Sequence, residues 1–348
     1  MPGIHQPPPR VLEDLNNNLA WYARTSPPLH ADGLREVISE NRGIESSQII
    51  LGCGSSDLIF RVVPKFLMDQ GTIVIPQPSY AEYRHVLTNL HGRQVETFDT
   101  DGDDFVLQVD VLTEFANSVD ASAIFLVNPC NPTGFALDKT QMIQLLDGIG
   151  NMRIVVDETY VDYIGKGNSI EQYPNLLILK SVSKFYALSG MRIGYATTSV
   201  RSAKQFQLET PPYIVSTPGQ MAAIAAFESE DYYIDRVQET HHLRESFAAR
   251  LNALPGLRVM PSNINCVLLD LKDTGWTAAE FWAEMQARKL LCRDIGNQGL
   301  VDSSRYVRVA ILNEENNEKM VTIISLNEIS IIIHSFTVVD NTGKNINP

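Results

Sequence analysis

The chain has 348 residues, of which 44% are hydrophobic and 20% are charged. This composition is typical of a globular protein and excludes collagen, coiled-coil and disordered chains. The 41 Asp and Glu residues outnumber the 28 Lys and Arg residues, and the net charge of −13 argues against nucleic acid or an anionic membrane as the main partner.

The chain carries no signal for a membrane or a metal. The first residues, MPGIHQPPPR, lack the apolar core of a secretory leader, and no apolar run reaches the roughly 18 to 20 residues that would span a bilayer. Zinc ligands usually come in close pairs, but Cys53, Cys130, Cys266 and Cys292 lie far apart. We therefore expect buried or half-buried reduced thiols, no metal site and a soluble cytoplasmic protein.

The region from about residue 50 to residue 200 alternates short apolar runs with helix-like segments. Strands are predicted at residues 72–75, 124–127, 154–156, 176–179 and 193–197. Helices are predicted at residues 57–66 and 139–146. This alternation predicts an α/β fold in three layers, a mostly parallel sheet between helices, with ligands bound beyond the carboxyl ends of the strands.

The pattern changes after Pro255-Gly256. Strands are predicted at 265–271 and 306–312, and helices at 278–288 and 316–326. We expect a smaller α+β domain here. The predicted organisation is an N-terminal arm with part of the small domain (1–35), a large domain (36–254), a small C-terminal domain (255–328) and an extra tail (329–348).

The strongest chemical motif follows the predicted strand at 176–179. It places Lys184 after a strand, with Ser181 and Ser183 before it and Arg192 eight positions later. Such a lysine is able to form a Schiff base with a carbonyl cofactor while the hydroxyls and the arginine hold a phosphate. Taken alone, Lys184 is more simply interpreted as a surface lysine after a strand.

A second motif places Asp157 at the end of an apolar strand and Tyr160 three residues later. A carboxylate buried there requires a partner, and a protonated pyridine nitrogen is a suitable one. A helix N-cap is the alternative interpretation of Asp157. Tyr160 is predicted to reach a ring hydroxyl.

Three further segments complete the predicted site. The turn NPCNPTG presents the amide of Asn131, and Tyr80 follows another strand end, where it is able to stack on a flat ring unless it is a core tyrosine. The segment GCGSSD opens a helix, and its Ser55, Ser56 and Asp57 suit an anion cradle, although many helix N-termini look similar.

Together these motifs resemble fold type I pyridoxal-phosphate enzymes of the class I/II aminotransferase family, in the branch of histidinol-phosphate aminotransferase and threonine-phosphate decarboxylase. The resemblance covers residues 7 to 326 and rests on NPxNPTG, DExY and SxSK with GxRxGY. It implies pyridoxal 5'-phosphate as cofactor and catalytic roles for Lys184, Asp157 and Tyr80. It also implies a homodimer. The remaining residues that it assigns to the cofactor are Ser55, Ser56, Asp57, Asn131, Tyr160, Ser181, Ser183 and Arg192.

The resemblance also suggests how a substrate is held. Arg308 is expected to take a carboxylate or phosphate, Arg293 a second anion, and Tyr22 is the nearest candidate for a phosphate contact with a neighbouring subunit. Against the family pattern, the segment ahead of the prolines is expected to be shortened or absent, and Ala23 stands where Pro is usual.

Three reactions remain open at this point. An aminotransferase acting on an amino acid or amino-phosphate is the leading hypothesis. An α-decarboxylase of the threonine-phosphate type is the second, and cyclisation or dehydration of a hydroxylated, guanidino-type amino acid is the third. A binding module without activity is disfavoured, because it has no need of Lys184 as a Schiff-base lysine.

Overall fold

A computed structural model describes residues 5–68, 71–100, 102, 104–165, 173–290, 292–300, 302–335, 338–339 and 345–346. The helices are α1 Pro9–Arg24, α2 Asp32–Arg42, α3 Ser55–Arg61, α4 Val63–Phe66, α5 Ala81–Arg84, α6 Val109–Ser118, α7 Lys139–Ile149, α8 Val200–Leu208, α9 Thr217–Phe227, α10 Glu230–Asn252, α11 Ala278–Ala287 and α12 Glu314–Ser335. The strands are β1 Ile49–Gly52, β2 Thr72–Gln77, β3 Val95–Asp99, β4 Ala121–Val127, β5 Arg153–Asp157, β6 Leu176–Ser181, β7 Gly194–Thr198, β8 Arg258–Val259, β9 Cys266–Asp270, β10 Cys292–Asp294, β11 Tyr306–Ala310, β12 Val338–Val339 and β13 Asn345–Ile346. Among these helices none is long and apolar enough to cross a bilayer.

Seven strands form one sheet in the order β1-β7-β6-β5-β4-β2-β3. The pairs from β6 through β5, β4 and β2 to β3 are parallel, whereas β7 is antiparallel to both of its neighbours. The segment between β6 and β7 contains only a short 3-10 turn, and without a crossover helix the chain returns antiparallel. The predicted α/β fold with a mostly parallel sheet is confirmed.

Helices cover both faces of this sheet because its buried strands alternate their side chains. Phe125 and Val155 pack with α3, α4 and α8 on one face. Ile124 and Val156 pack with α6 and α7 on the other. Successive side chains of a strand point to opposite faces, so a strand covered on both sides reads as a continuous apolar run.

The four strands β10-β11-β9-β8 form a second, antiparallel sheet. Its apolar face packs against α10, α11 and α12 around Phe281, Val307 and Met320. A capping box between Thr277 and Glu280 begins α11. Helices α1 and α2 pack instead on α9, around Leu34, with β1 and β7.

The structure differs from the sequence expectation in several elements. The helix expected at 57–66 is divided into α3 and α4, because Pro64 has no N–H to continue the helical ladder. Strands β1 and β3 were not expected. The last helix begins at Glu314 and runs to Ser335, so it enters the segment expected to be an extra tail. The domain boundaries themselves stay predictions.

Candidate active site

A cavity of about 140 Å³ lies beyond the carboxyl ends of β4, β5 and β6, as expected for an α/β sheet. The predicted site residues that line it are Ser55, Ser56, Tyr80, Asn131, Asp157, Tyr160, Ser181, Ser183, Lys184, Arg192, Arg293 and Arg308. These side chains come from both sheets and from the start of α3, so the fold brings distant motifs together.

Asp157 is the last residue of β5 and is only 3% exposed. Tyr83 Oη donates a 2.6 Å hydrogen bond to Asp157 Oδ2, and the Thr159 amide donates one of 2.8 Å to Oδ1. Burial raises the pKa of Asp157, and the hydrogen bonds from Thr159 and Tyr83 oppose that rise. Within the described residues the carboxylate has no cationic partner, so it is set to receive one from a ligand.

Lys184 lies three residues beyond β6 and is half-buried. Burial lowers the pKa of its amine, and the guanidinium groups of Arg308, Arg293 and Arg192 lower it further. A lowered pKa increases the neutral fraction of the amine at neutral pH, and the neutral amine is the nucleophile.

Asn131, Tyr160 and Arg308 form a chain across the cavity floor. Asn131 Nδ2 donates to Tyr160 Oη at 3.4 Å, and Arg308 Nη1 donates to Asn131 Oδ1. Burial raises the pKa of Tyr160, so its hydroxyl stays protonated at neutral pH. Arg308 is 4% exposed, and its Nε has no hydrogen-bond partner among the described residues. An anionic ligand is able to satisfy that donor.

The end of the cavity away from Arg308 is rich in hydroxyl and amide groups. Ser55 and Ser56 begin α3, and Arg192 approaches Gly54 so closely that a Cβ on Gly54 would lie 2.5 Å from the arginine Nη2. Gly54 also has a φ of +83°, which favours glycine. Ser181 Oγ accepts the Ser183 amide at 3.1 Å. This end suits a phosphate group.

Arg293 and Arg308 lie opposite each other in the register of β10 and β11. Side chains of directly opposed residues share a face of the sheet, and both arginines line the cavity. Arg293 forms no ion pair in the part of the chain that the structure describes. The pair therefore creates a positive wall facing the lysine.

Two predicted residues lie elsewhere. Asp57 turns away from the cavity: its carboxylate forms a 2.9 Å ion pair with Arg61 and accepts the Cys53 amide at 3.3 Å. Tyr22 is buried in α1 and donates to Asp14 Oδ2 at 2.6 Å. Neither touches the cavity of its own chain.

Three polar residues of the cavity were missed by the sequence analysis. Tyr83 holds Asp157 and stacks on Phe125 with ring centroids 4.1 Å apart. Thr159 gives its amide to Asp157, and Ser189 lines the wall near Arg192. The spacing from Tyr80 to Tyr83 on one helical turn was the available signal, because residues three apart lie on the same face of a helix.

The donor set fits the expected cofactor, pyridoxal 5'-phosphate. The buried carboxylate of Asp157 lacks a cation, the Lys184 amine forms no hydrogen bond with a described residue, and Tyr80 presents an aromatic ring. A pyridinium nitrogen, an aldehyde and a flat ring answer these three features. The four cysteines form no disulfide, although Cys53 is exposed rather than buried.

Comparison with known proteins supports this interpretation. The family profile of aminotransferase class I and II matches residues 3–324. Histidinol-phosphate aminotransferase 2 of Archaeoglobus fulgidus is 31% identical over 290 residues, which cover 83% of this chain and 80% of that protein.

Solved structures share the fold. The histidinol-phosphate aminotransferase of Clostridium acetobutylicum superposes with a TM-score of 0.84 at 24% identity, covering 95% of this chain and 98% of that one. The enzyme of the same name from Sinorhizobium meliloti, solved with pyridoxal-5'-phosphate, gives 0.81 at 20% identity, covering 95% and 89%. The chain therefore belongs to the aminotransferase class I and II family, as its sequence motifs predicted.

Proposed function

We propose that this protein is a pyridoxal-phosphate-dependent aminotransferase whose amino substrate carries an anionic group, as histidinol phosphate and the α-amino acids do. The observation that carries the proposal is one cavity in which, among the described residues, Asp157 has no cationic partner, Lys184 has no carboxylate partner, and two arginines face both. The names of the relatives in the comparison support the same substrate class.

Asp157 and its partners would set the electronic state of the cofactor. Bound pyridoxal phosphate supplies an electron sink for negative charge that develops at the substrate Cα. The Asp157 carboxylate would keep the ring nitrogen protonated, and the hydrogen bonds from Tyr83 and Thr159 hold that carboxylate in place. An ion pair buried in this way is strong, because little solvent screens it.

The remaining contacts would orient the ring. Asn131 and Tyr160 lie together where they are able to meet the ring oxygen, and Tyr80 would cover one face of the ring. The hydroxyls of Ser55, Ser56, Ser181 and Ser183, with Arg192, would hold the phosphate.

Lys184 would carry the reacting proton. Its lowered pKa leaves the amine partly neutral, so Nζ is able first to bind the carbonyl cofactor and then to accept and return the proton of the substrate Cα. The arginines that lower this pKa are also those that would hold the substrate anion, so substrate binding would partly neutralise their charge and make Lys184 a better base.

Arg308 and Arg293 would bind the anionic groups of the substrate. Arg308 is buried and fixed by Asn131, so it suits a constant group such as a carboxylate or phosphate. Arg293 is exposed on the neighbouring strand and suits a second, variable anion.

The functional unit is proposed to be a cytoplasmic homodimer. Trp21 of α1, Leu208 of α8 and Tyr213 are 47%, 82% and 53% exposed, which is unusual for such large apolar side chains in a monomer. Tyr22 lies away from its own cavity, so its predicted phosphate contact requires a second copy. The four unpaired cysteines support a reducing compartment.

Product analysis tests the proposed reaction. The purified protein, supplied with pyridoxal phosphate, is incubated with 2-oxoglutarate and either histidinol phosphate or threonine phosphate. Glutamate formation supports transamination. Release of CO₂ without glutamate would establish a decarboxylase instead, and turnover that yields neither would establish cyclisation or dehydration.

A further inference from the structure

A second cavity, of about 200 Å³, lies outside the candidate active site. One wall is formed by the carboxyl ends of β2 and β3, where Gln77 pairs in register with Asp99. The other wall is the segment that leads into β11, including Gly299, Asp302 and Tyr306. The second cavity thus lies between the two sheets at an edge of the large sheet where ligands of α/β proteins bind.

Gln77 is the first sign that the second cavity accepts a ligand. Its side chain lines the cavity, the residue is 6% exposed, and Oε1 has no hydrogen-bond partner among the described residues. Gly299 has a φ of +81°, and a Cβ there would lie 1.9 Å from that oxygen. A buried amide oxygen without a donor costs free energy. The last torsion of Gln is soft, so rotation of the amide presents its oxygen to a ligand N–H.

The charges around the second cavity favour a cation. Asp99 forms no ion pair with any described residue, and Asp302 accepts hydrogen bonds only from the amide and hydroxyl of Ser304, at 3.2 and 2.6 Å. Arg305 also lines the cavity, but its Nε donates to Asp270 Oδ1 at 2.9 Å, so its charge is already neutralised. In the part of the chain that the structure describes, these two carboxylates remain without a cation.

Two aromatic rings complete the second cavity. Phe105 and Tyr306 pack edge to face with centroids 5.3 Å apart. The guanidinium of Arg305 lies 4.7 Å from the centre of the Tyr306 ring, so Phe105 is the ring left for a ligand. Aromatic faces attract organic cations, and they do so better than they attract a hydrated metal ion. The candidate active site has the opposite character, because Lys184, Arg192, Arg293 and Arg308 all face it.

We propose that the second cavity binds an organic cation of the alkylguanidinium or alkylammonium class. The N–H groups of such a ligand meet the Gln77 amide oxygen and the carboxylates of Asp99 and Asp302. Its charged group also meets the ring of Phe105. This site is separate from the proposed transaminase chemistry and does not depend on it.

Calorimetric titration of the cofactor-loaded, full-length protein tests the proposal. The probe is butylguanidinium, which cannot react as a primary amine at Lys184, and the matched neutral probe is butylurea. We expect butylguanidinium to bind with a Kd of about 1 mM or tighter, and butylurea to bind at least about tenfold more weakly.

Matched variants locate the binding. The double variant Asp99→Asn/Asp302→Asn should weaken butylguanidinium binding about tenfold. Asp104→Asn makes the same charge change nearby, but that carboxylate pairs with Arg258 and does not line the cavity, so affinity should stay within about twofold. If the double variant does not fold, the exposed single variant Asp99→Asn supplies the comparison.

Four results would overturn the proposal. They are equal affinity for the two probes, no binding of butylguanidinium up to about 10 mM, equal weakening by Asp104→Asn, and displacement of butylguanidinium by Mg²⁺ or Ca²⁺ alone. The last result would identify a metal site instead.

Discussion

Lys180 and Lys184 are four residues apart, yet their surroundings are opposite. Lys180 lies within β6, is 3% exposed, and places its ammonium 2.6 Å from Glu158 Oε2. Burial alone would lower the pKa of Lys180, but the charge of Glu158 raises it above the ordinary value. Lys184 has three arginines nearby and no carboxylate partner within the described part of the chain, and its pKa is lowered.

The neighbouring acids repeat this contrast. Asp157 and Glu158 are consecutive, and they direct their carboxylates to opposite faces of the sheet, as consecutive residues at a strand end do. Glu158 meets the cation of Lys180, whereas Asp157 meets only the neutral donors of Tyr83 and Thr159. On the face of Glu158 the buried charges pair with each other inside the protein. On the face of Asp157 the charged groups are available to a ligand. Substitutions should therefore affect stability on one face and activity on the other.

Lys184→Ala should produce the largest loss. Without the amine no group at this position is able to bind the cofactor carbonyl or move the Cα proton, so turnover should fall by about 10⁴-fold or more. The rate of glutamate formation measures the loss, with Lys204→Ala on the exposed side of α8 as the control. Retention of even a tenth of the activity would show that another residue has the role proposed for Lys184.

Asp157→Asn should be the next most severe change. The amide cannot neutralise a protonated ring nitrogen, so turnover should fall about 10³-fold while cofactor is still bound. Glu158→Gln is the matched control, because it makes the same chemical change on the opposite face. The prediction is wrong if the two variants lose similar activity per folded molecule.

Most of the fold could be predicted from the sequence because the central strands of the large sheet are buried on both faces. Runs such as 124–127 and 154–156 are apolar throughout, as is typical of parallel strands between two helical layers. Strand β3 escaped prediction because it is an edge strand with the polar sequence VETFD. The full length of α12 escaped because the β-branched Ile residues in 329–335 suggested no helix, and tertiary context overrides such propensities.

The site residues could be predicted from the sequence where a reactive or polar side chain follows the end of an apolar strand, as at Asp157, Lys184 and Asn131. The position of Asp57 could not be predicted in this way, because a carboxylate that suits a helix N-terminus also suits an ion pair with Arg61 one turn later. The role of Tyr83 depends on a contact 74 residues along the chain, so the spacing from Tyr80 to Tyr83 indicated a shared helix face but not the hydrogen bond to Asp157.

Glu158→Gln should chiefly reduce stability. It removes the partner of a buried ammonium, and breaking such a pair costs about 3–5 kcal/mol. Urea unfolding of the cofactor-loaded protein measures the change. The double variant Glu158→Gln/Lys180→Met should recover much of the loss, because neither charge of this pair is then left buried without the other. Equal stability of the single and double variants would contradict this account of the ion pair.

Tyr83→Phe should have the smallest effect and the most specific one. The hydroxyl donates to Asp157 and lowers the pKa that burial has raised, so its removal should raise that pKa further. The active enzyme needs Asp157 ionised, so the acidic limb of the pH–activity profile should move to higher pH. At pH values below this limb the variant should lose about tenfold in activity. Tyr173→Phe removes a comparable 2.9 Å bond to Asp147 at the surface and should leave the profile unchanged. A uniform loss at every pH would mean that Tyr83 supports the cavity by packing on Phe125 rather than by holding the charge of Asp157.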